Sequence, residues 1–323
     1  MSKPRVGIVI STTRMGRFAD VGAGIEGRSG SDAVTSGGNG RGTGMNQPHA
    51  TEIAARRVAY RTRGHSHGAI TRLVSPSDVG ELIKPFVFLD YFDMDPKHTP
   101  AIGFHPHSGI ATVTVVLEGR ISYEETSGTK GIIETGGVEW MRAGGGVWHT
   151  GGAVGNARVK GFQLWLALPP EKENIDPEAR YLEASRFHSY GPARLILGRY
   201  GDIVSEVPAP RGINYLDVSL KSGEKWRYQP PGSHSVAWIA LHKGSLCAPV
   251  IADKGELVVF EESSGTLEFE ALEETGFVLG SAIKHPHDLV LGHYSVHTNQ
   301  DALERGEARI AEIGRRLESE GRL

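Results

Sequence analysis

Three histidines in this chain have the residue type and spacing that metal chemistry requires. His105 and His107 lie two residues apart in a Gly-Phe-His-Pro-His-Ser-Gly segment, and His149 follows later. Side chains two apart on an extended strand point to the same side, so both imidazoles can reach one ion. A third imidazole from a neighbouring strand completes a three-nitrogen face, which suits iron, nickel, copper or zinc and leaves coordination positions open. The alternative for the pair alone is a turn carrying two solvated histidines.

Two other histidine groups repeat parts of this pattern. The His-Pro-His segment at 285–287 is followed by no third histidine at a matching distance. Because His293 and His297 lie near it in sequence, an accidental or secondary site is an alternative there. His65–His67 precedes Gly68, and we expect a solvated hairpin turn. The sequence shows no Ser/His/Asp or Cys/His arrangement for nucleophilic catalysis.

The segments around the first three histidines read as β-strands. Residues 110–117 are rich in β-branched side chains and end at a Glu-Gly turn, after which residues 120–124 alternate like the return strand of a hairpin. Further strands are predicted at 138–141, after a glycine pair, and at 161–168, before two prolines. The later half repeats this layout more weakly, for example at 235–241. Two similar all-β halves predict two stacked barrels.

The segment from about 299 to 321 is predicted to be a helix that packs on the barrels. Its apolar residues recur at helical spacing: Leu303, Ile310, Ile313 and Leu317. Thr298 or Asn299 is the expected N-cap, and Asp301 suits the first turn electrostatically. A helix that binds a partner is the alternative.

Length and charge limit the classes of function. The chain has 323 residues, 39% of them hydrophobic, and a formal net charge of −3 without a run of Lys or Arg. Nucleic acid and anionic membrane surfaces are therefore not expected partners, and no apolar stretch is long enough to span a bilayer. Residues 6–10 are too few for a signal-peptide core of roughly 7–15 residues. The single cysteine, Cys247, excludes an internal disulfide and suits the cytoplasm.

Residues 1–50 differ from the rest of the chain. A short buried-type strand at 6–10 precedes a small-polar loop at 11–18, and this stretch resembles the start of NADPH-dependent FMN reductases. The further strand–helix units of that fold are absent from the sequence. Residues 22–44 are glycine-rich and cannot bury enough apolar surface to offset their ordering entropy. We therefore expect a disordered N-terminal extension.

The run from 85 to 168 resembles the N-terminal half of pirins. The matching segments are Pro85-Phe86-Val87-Phe88-Leu89-Asp90-Tyr91-Phe92, His105-Pro106-His107, Leu117-Glu118-Gly119, Gly137-Val138-Glu139-Trp140-Met141, Gly145-Gly146-Val147-Trp148-His149 and Gln163-Leu164-Trp165. Residues 294–299 resemble the family's stretch before its last helix. The resemblance implies an all-β fold of two cupin-type (jelly-roll) β-barrels in tandem, with an iron-type metal in the first. Pirins hold this metal with three histidines and a glutamate, and members have been linked to quercetin 2,3-dioxygenase activity and to redox-dependent regulation of partner proteins.

His105, His107 and His149 match the histidine ligands of the family, but the glutamate ligand of the family has no match in this chain. The family glutamate two residues after the third histidine is Gly151 here, and a second family glutamate is Ala111. Glu139 or Gln163 is an alternative source of an oxygen ligand, although the sequence does not show where either points. In the second barrel, the positions that align with the histidines are Pro230, Gly232 and Leu267, so no metal site is expected there.

The sequence patterns and the resemblance together predict four parts of the chain: an extension at 1–50, a metal-binding cupin barrel at 53–170, a metal-free cupin barrel at 171–298 and a helix at 299–323. The expected cofactor is a divalent transition metal, iron first, with nickel, copper, manganese or zinc as alternatives. One functional hypothesis is a quercetinase-type oxygenase acting on a small aromatic substrate, with Trp140, Met141 or Trp148 as pocket walls. The others are a metal- or redox-dependent regulator that binds a protein partner and a metal-free scaffold.

Overall fold

The computed structural model describes residues 56–323, so the expectations for residues 1–50 lie outside the described residues. The first half contains a short helix, α1 (Val79–Ile83), and the following strands: β1 (Val58–Thr62), β2 (His65–His67), β3 (Ile70–Val74), β4 (Phe86–Met94), β5 (Ile102–His107), β6 (Ile110–Glu118), β7 (Ile121–Glu125), β8 (Lys130–Ile133), β9 (Val138–Arg142), β10 (Val147–Ala153), β11 (Val159–Ala167) and β12 (Glu178–Leu182).

The second half begins with a 3₁₀ turn at Ala184–Arg186 and ends with a long helix, α2 (Gln300–Ser319). Its strands are β13 (Ser189–Tyr190), β14 (Ala193–Leu197), β15 (Arg199–Tyr200), β16 (Ile203–Val204), β17 (Ile213–Leu220), β18 (Lys225–Tyr228), β19 (Val236–Lys243), β20 (Ser245–Cys247), β21 (Ile251–Asp253), β22 (Leu257–Phe260), β23 (Leu267–Ala271), β24 (Thr275–Ala282), β25 (Val290–Gly292) and β26 (Ser295–His297).

Each half pairs a large sheet with a small one. In the first half, the seven-stranded sheet β12-β9-β6-β11-β4-β3-β2 faces the four-stranded sheet β5-β10-β7-β8. In the second half, the sheet β1-β22-β19-β24-β17-β14-β13 is joined by the sheet β18-β23-β20-β21. Together with the final helix, these sheets confirm the predicted all-β fold of two cupin-type barrels.

The first described strand belongs to the second of these sheets. The sequence placed residues from 53 onward with the first barrel, whereas β1 pairs antiparallel with β22, from Val58 opposite Phe260 to Thr62 opposite Leu257. This pairing joins segments about 200 residues apart, and local patterns carry no information on so distant a partner.

The two large sheets share one hydrophobic core. Phe86 and Leu164 of the first half pack there with Tyr215 and Trp238 of the second, and the rings of Phe86 and Trp238 meet edge to face at 5.3 Å. A separate cluster fills the second barrel with aliphatic and aromatic side chains. A smaller one, around Phe88 and Met141, fills part of the first barrel.

Alternation along β6 sorts its side chains between two environments. Ala111 and Val113 face the core shared by the large sheets, whereas Thr114 points to the opposite face, into the first barrel. There it contacts Glu139 of β9 and Gln163 of β11. The interior of the first barrel therefore carries polar groups.

Helix α2 packs on the first barrel, as predicted. The side chain of Asn299 accepts a hydrogen bond from the amide of Ala302 and caps the helix. The predicted apolar stripe, from Leu303 to Leu317, is buried, and the indole of Trp148 donates a hydrogen bond to the Ile310 carbonyl at 2.8 Å. Within residues 56–323, no helix is long and apolar enough to cross a membrane.

Candidate metal centre

The pairing of β5 with β10 brings the three predicted histidines together. In this antiparallel register, His149 lies opposite His105 and Val147 lies opposite His107. One nitrogen of each imidazole lies within 4.8 Å of the other two, and the Nε2 atoms of His107 and His149 are 3.1 Å apart. Among the described residues, this is the one group of three or more His, Cys, Asp or Glu side chains with such spacing.

Each of the three imidazoles has an acceptor on its Nδ1 side. His105 Nδ1 lies 2.9 Å from the carbonyl oxygen of Gly103, and His107 Nδ1 lies 3.1 Å from that of Tyr294. His149 Nδ1 lies 3.8 Å from Oε1 of Glu139. A carbonyl accepts but does not donate, so His105 and His107 carry their protons on Nδ1 and keep the Nε2 lone pair for a metal.

Burial keeps His105 and His107 neutral. Loss of solvation is the main cause that lowers the pKa of His105 to about 3, and the neighbouring His149 adds to it. His107, only 1% exposed, has its pKa held well below the ordinary value for the same reasons. A metal binds the neutral form of imidazole, so the proton competition that weakens many histidine sites is small here. The donor set therefore fits a divalent transition ion.

Neither alternative oxygen donor belongs to this nitrogen face. Glu139 lies behind His149, on the side away from its Nε2, and does not join the group of three. The Thr114 hydroxyl donates to Glu139 and also lies 2.9 Å from the Gln163 amide. Because a hydroxyl donates one hydrogen, the consistent assignment has the Gln163 amide donating to Thr114.

The structure gives a physical reason for the two missing acids. Gly151 follows a register shift between β10 and β5, and a Cβ there would lie 2.6 Å from the Ser122 carbonyl oxygen. A glutamate at 151 would therefore require the backbone of β7 to move. Ala111 lies in the apolar core between the large sheets, and a carboxylate there would be buried on the wrong side of β6.

The predicted pocket walls are mostly wrong. Trp140 lies in the shared core and Trp148 binds α2, so neither lines the histidine cluster; only Met141 lies inside the first barrel. The aromatic neighbours of the cluster are Trp165, whose ring centre is 4.8 Å from that of His107, and Tyr294, 5.7 Å from His105. Both residues belong to segments that resemble the pirin family, but the sequence did not show that either lies beside the histidines.

The other histidine groups remain separate from this centre. His65–His67 is exposed on an edge strand rather than in a turn. His285 is buried, and its backbone amide lies 3.1 Å from the Lys84 carbonyl oxygen, to which it donates. Its ring packs against that of His287.

His297 has partners of its own. It is buried and bonds to Glu173 and Ser108. The secondary site considered for residues 285–297 is therefore not assembled among the described residues.

Comparison with known proteins identifies the relatives of this fold. The sequence profile of the Pirin family matches residues 68–166. A "Pirin-like protein" of Caulobacter vibrioides is 30% identical over 187 residues, which cover 55% of this chain and 67% of that protein. A "Putative quercetin 2,3-dioxygenase" of Pseudomonas aeruginosa is 31% identical over 240 residues, which cover 67% of this chain and 82% of that protein.

Solved structures show the same architecture. A quercetin 2,3-dioxygenase from Acinetobacter baumannii superposes with a TM-score of 0.73 at 21% identity, covering 79% of this chain and 96% of that one. The bacterial pirin YhhW of Escherichia coli, in complex with nickel(II), gives a TM-score of 0.56 at 19% identity and covers 71% and 98%. The sequence relatives and the two-barrel fold agree, and this chain belongs to the pirin family.

Proposed function

We propose that His105, His107 and His149 bind one divalent transition metal through their Nε2 atoms. The observation that carries this proposal is the acceptor on the Nδ1 side of every imidazole: the Gly103 and Tyr294 carbonyls and the Glu139 carboxylate. Such partners orient metal-binding histidines; for His105 and His107 they also select the tautomer that binds a metal. Iron is the first candidate, and nickel is supported by the complex of YhhW.

We propose further that this centre serves a quercetinase-type oxygenase reaction on a flat aromatic substrate. The Pseudomonas relative carries that activity in its name. When bound, the metal would supply Lewis acidity and bring an anionic hydroxyl group of the substrate close to oxygen. Three neutral imidazoles would leave its double positive charge uncompensated, which favours an anionic substrate.

The aromatic side chains beside the histidines suit such a substrate. Trp165 stacks on Phe88 with ring centres 3.9 Å apart, so its ring is held in one orientation next to His107. Tyr294 lies against both His105 and His107. Flat aromatic rings bind well between such faces, which also exclude water. A protein partner that senses the metal is the competing function, with catalysis absent.

Oxygen uptake by the iron(II)-loaded protein with quercetin as the probe tests the oxygenase proposal. We expect turnover by the unmodified chain and a loss of about 100-fold or more in His107→Ala, because one of three ligands is removed. His65→Ala, on the exposed edge strand, is the matched control and should keep full activity. Iron-loaded protein that consumes no oxygen above the background of free iron would rule out the oxygenase and leave the regulator or scaffold.

A further inference from the structure

Glu139 is a buried carboxylate with one oxygen that has no donor. The residue is 4% exposed, and its Oε2 accepts a hydrogen bond from Thr114. Its Oε1 has no hydrogen-bond partner among residues 56–323 and points towards Nδ1 of His149 at 3.8 Å. A buried carboxylate oxygen without a donor is costly, so this arrangement needs an explanation.

The proton positions on the histidines provide that explanation. His107 carries its proton on Nδ1, facing the Tyr294 carbonyl, so its Nε2 is an acceptor. The 3.1 Å contact between the two Nε2 atoms then requires His149 to donate from Nε2. In that tautomer, Nδ1 of His149 is a lone pair facing a carboxylate oxygen. Two acceptors do not attract each other, which accounts for the 3.8 Å separation.

Metal binding would reverse this arrangement. An ion held by both Nε2 atoms needs both lone pairs, so the proton of His149 must leave Nε2 and reappear on Nδ1, with the total number of protons on the ring unchanged. Oε1 of Glu139 is the acceptor that this new N–H would meet. A decrease of about 1 Å in the 3.8 Å gap would make a charge-assisted hydrogen bond.

We propose that Glu139 is the positioning residue of the metal centre: it accepts the Nδ1 proton of His149 when Nε2 binds the ion. The carboxylate thereby supplies the negative charge that positions 111 and 151 do not provide. It does so behind His149, without contacting the metal itself. This inference rests on the proposed metal site and adds a tautomer change to it.

Cross-strand neighbours hold Glu139 in this role. Glu139 lies opposite Thr114 on β6 and opposite Tyr181 on β12, and Gln163 lies opposite Thr114 on β11. The rings of Tyr123 and Tyr181 stack with their centres 3.5 Å apart. Burial is the main cause that raises the pKa of both phenols, and the nearby Glu139 charge adds to it. A carboxylate restrained on these sides can turn towards His149 but is not placed to replace it as a ligand.

Nitrogen-15 NMR of the imidazoles, with zinc as a diamagnetic probe, tests the inference on the unmodified full chain. We expect His149 to carry its proton on Nε2 without zinc and on Nδ1 with zinc. His105 and His107 should keep Nδ1–H throughout. Zinc bound while His149 lacks an Nδ1 proton would overturn the inference, and this result needs no variant.

A second arm compares zinc affinities of variants. Glu139→Gln keeps the shape but offers an amide that stabilises the metal-free tautomer, so we expect the zinc Kd to rise about 10- to 100-fold. Glu125→Gln is the matched control, because Glu125 is a buried carboxylate opposite His149 whose oxygens bind Ser127 and Thr129 instead. Equal Kd values for Glu139→Gln and the unmodified chain contradict the role of Glu139. A failure of the unmodified chain itself to bind zinc would instead refute the metal site.

Discussion

Acidification of the metal-free protein from about pH 7.5 to pH 5 is expected to remove roughly 6 kcal/mol or more from its free energy of unfolding. Burial lowers the pKa of His105 to about 3 and the pKa of His234 and of His285 to about 4, and it holds the pKa of His107 well below the ordinary value. The ordinary value in an unfolded chain is 6.5. Below that pH, the unfolded chain binds protons that the folded protein excludes.

The sign follows from these depressed values. The stability due to neutral histidines is complete above pH 6.5 and is lost as the pH falls towards 4, at about 2 kcal/mol per histidine by pH 5. Asp90 acts in the opposite direction, because burial raises its pKa, but it is a single group. Three histidines at this magnitude, with His107 acting in the same direction, approach the total stability of about 5–15 kcal/mol typical of domains.

Urea unfolding of chelator-treated protein at pH 7.5, 6 and 5 measures this loss. The matched variant is His285→Gln, because His285 lies far in sequence from the metal centre and is 7% exposed. It should reduce the pH-dependent loss by about 2 kcal/mol. Unfolding free energies that agree within about 1 kcal/mol across this pH range would show that the pKa values of these histidines are not lowered in the folded protein.

Replacement of Glu173 by alanine is expected to lower the unfolding free energy by about 3–5 kcal/mol. Its carboxylate, 2% exposed, accepts hydrogen bonds from His297 Nδ1 at 3.2 Å and from the Thr298 amide and hydroxyl at 2.7 Å each. Glu173→Ala would remove the acceptor of all three donors, the buried His297 Nδ1 and the two partly buried groups of Thr298, immediately before the N-cap of α2.

The same network includes the residue that directly follows β5, the strand that carries His105 and His107. The hydroxyl of Ser108, next to His107, lies 3.0 Å from Nε2 of His297. The order Ser108–His297–Glu173 resembles that of a catalytic triad, but all three side chains are buried, and the Ser108 hydroxyl donates its one hydrogen to Ser295 Oγ at 2.8 Å rather than to His297. Its role is to hold α2 and β26 against β5.

Urea unfolding and hydrogen exchange of the α2 amides together test this network. Glu173→Gln is the conservative control: it keeps one acceptor for Thr298 and should recover part of the loss. We expect exchange in α2 to accelerate in Glu173→Ala more than exchange in the second barrel. A stability change below about 1 kcal/mol would contradict the account of this network.

The sequence predicted the features that depend on local pattern. Period-two alternation and glycine-marked turns indicated the strands, and the His-x-His spacing put His105 and His107 on one side of β5. The N-cap was likewise predicted to within one residue, as Thr298 or Asn299, because capping depends on neighbours within one helical turn; the structure shows Asn299. These predictions needed no knowledge of distant contacts.

Features that depend on register between distant strands were not predictable. In β9, Glu139 faces the barrel interior and its neighbour Trp140 faces the shared core, and this choice depends on which sheet covers each face. A shift of one residue exchanges the two faces, which is why the prediction of Trp140 as a pocket wall is wrong. The close approach of Ser122 to Gly151 likewise follows from the pairing of β7 with β10.

The metal content of the purified chain is the decisive measurement for the three-histidine centre. Elemental analysis after reconstitution should be run on the unmodified protein, on His105→Ala/His149→Ala and on the exposed-histidine control His65→Ala/His67→Ala. The three-histidine centre predicts about one equivalent of iron, nickel, copper or manganese in the unmodified protein and the control, and none in the first double variant. An unmodified protein without stoichiometric metal, or a His105→Ala/His149→Ala variant that retains it, would contradict the account.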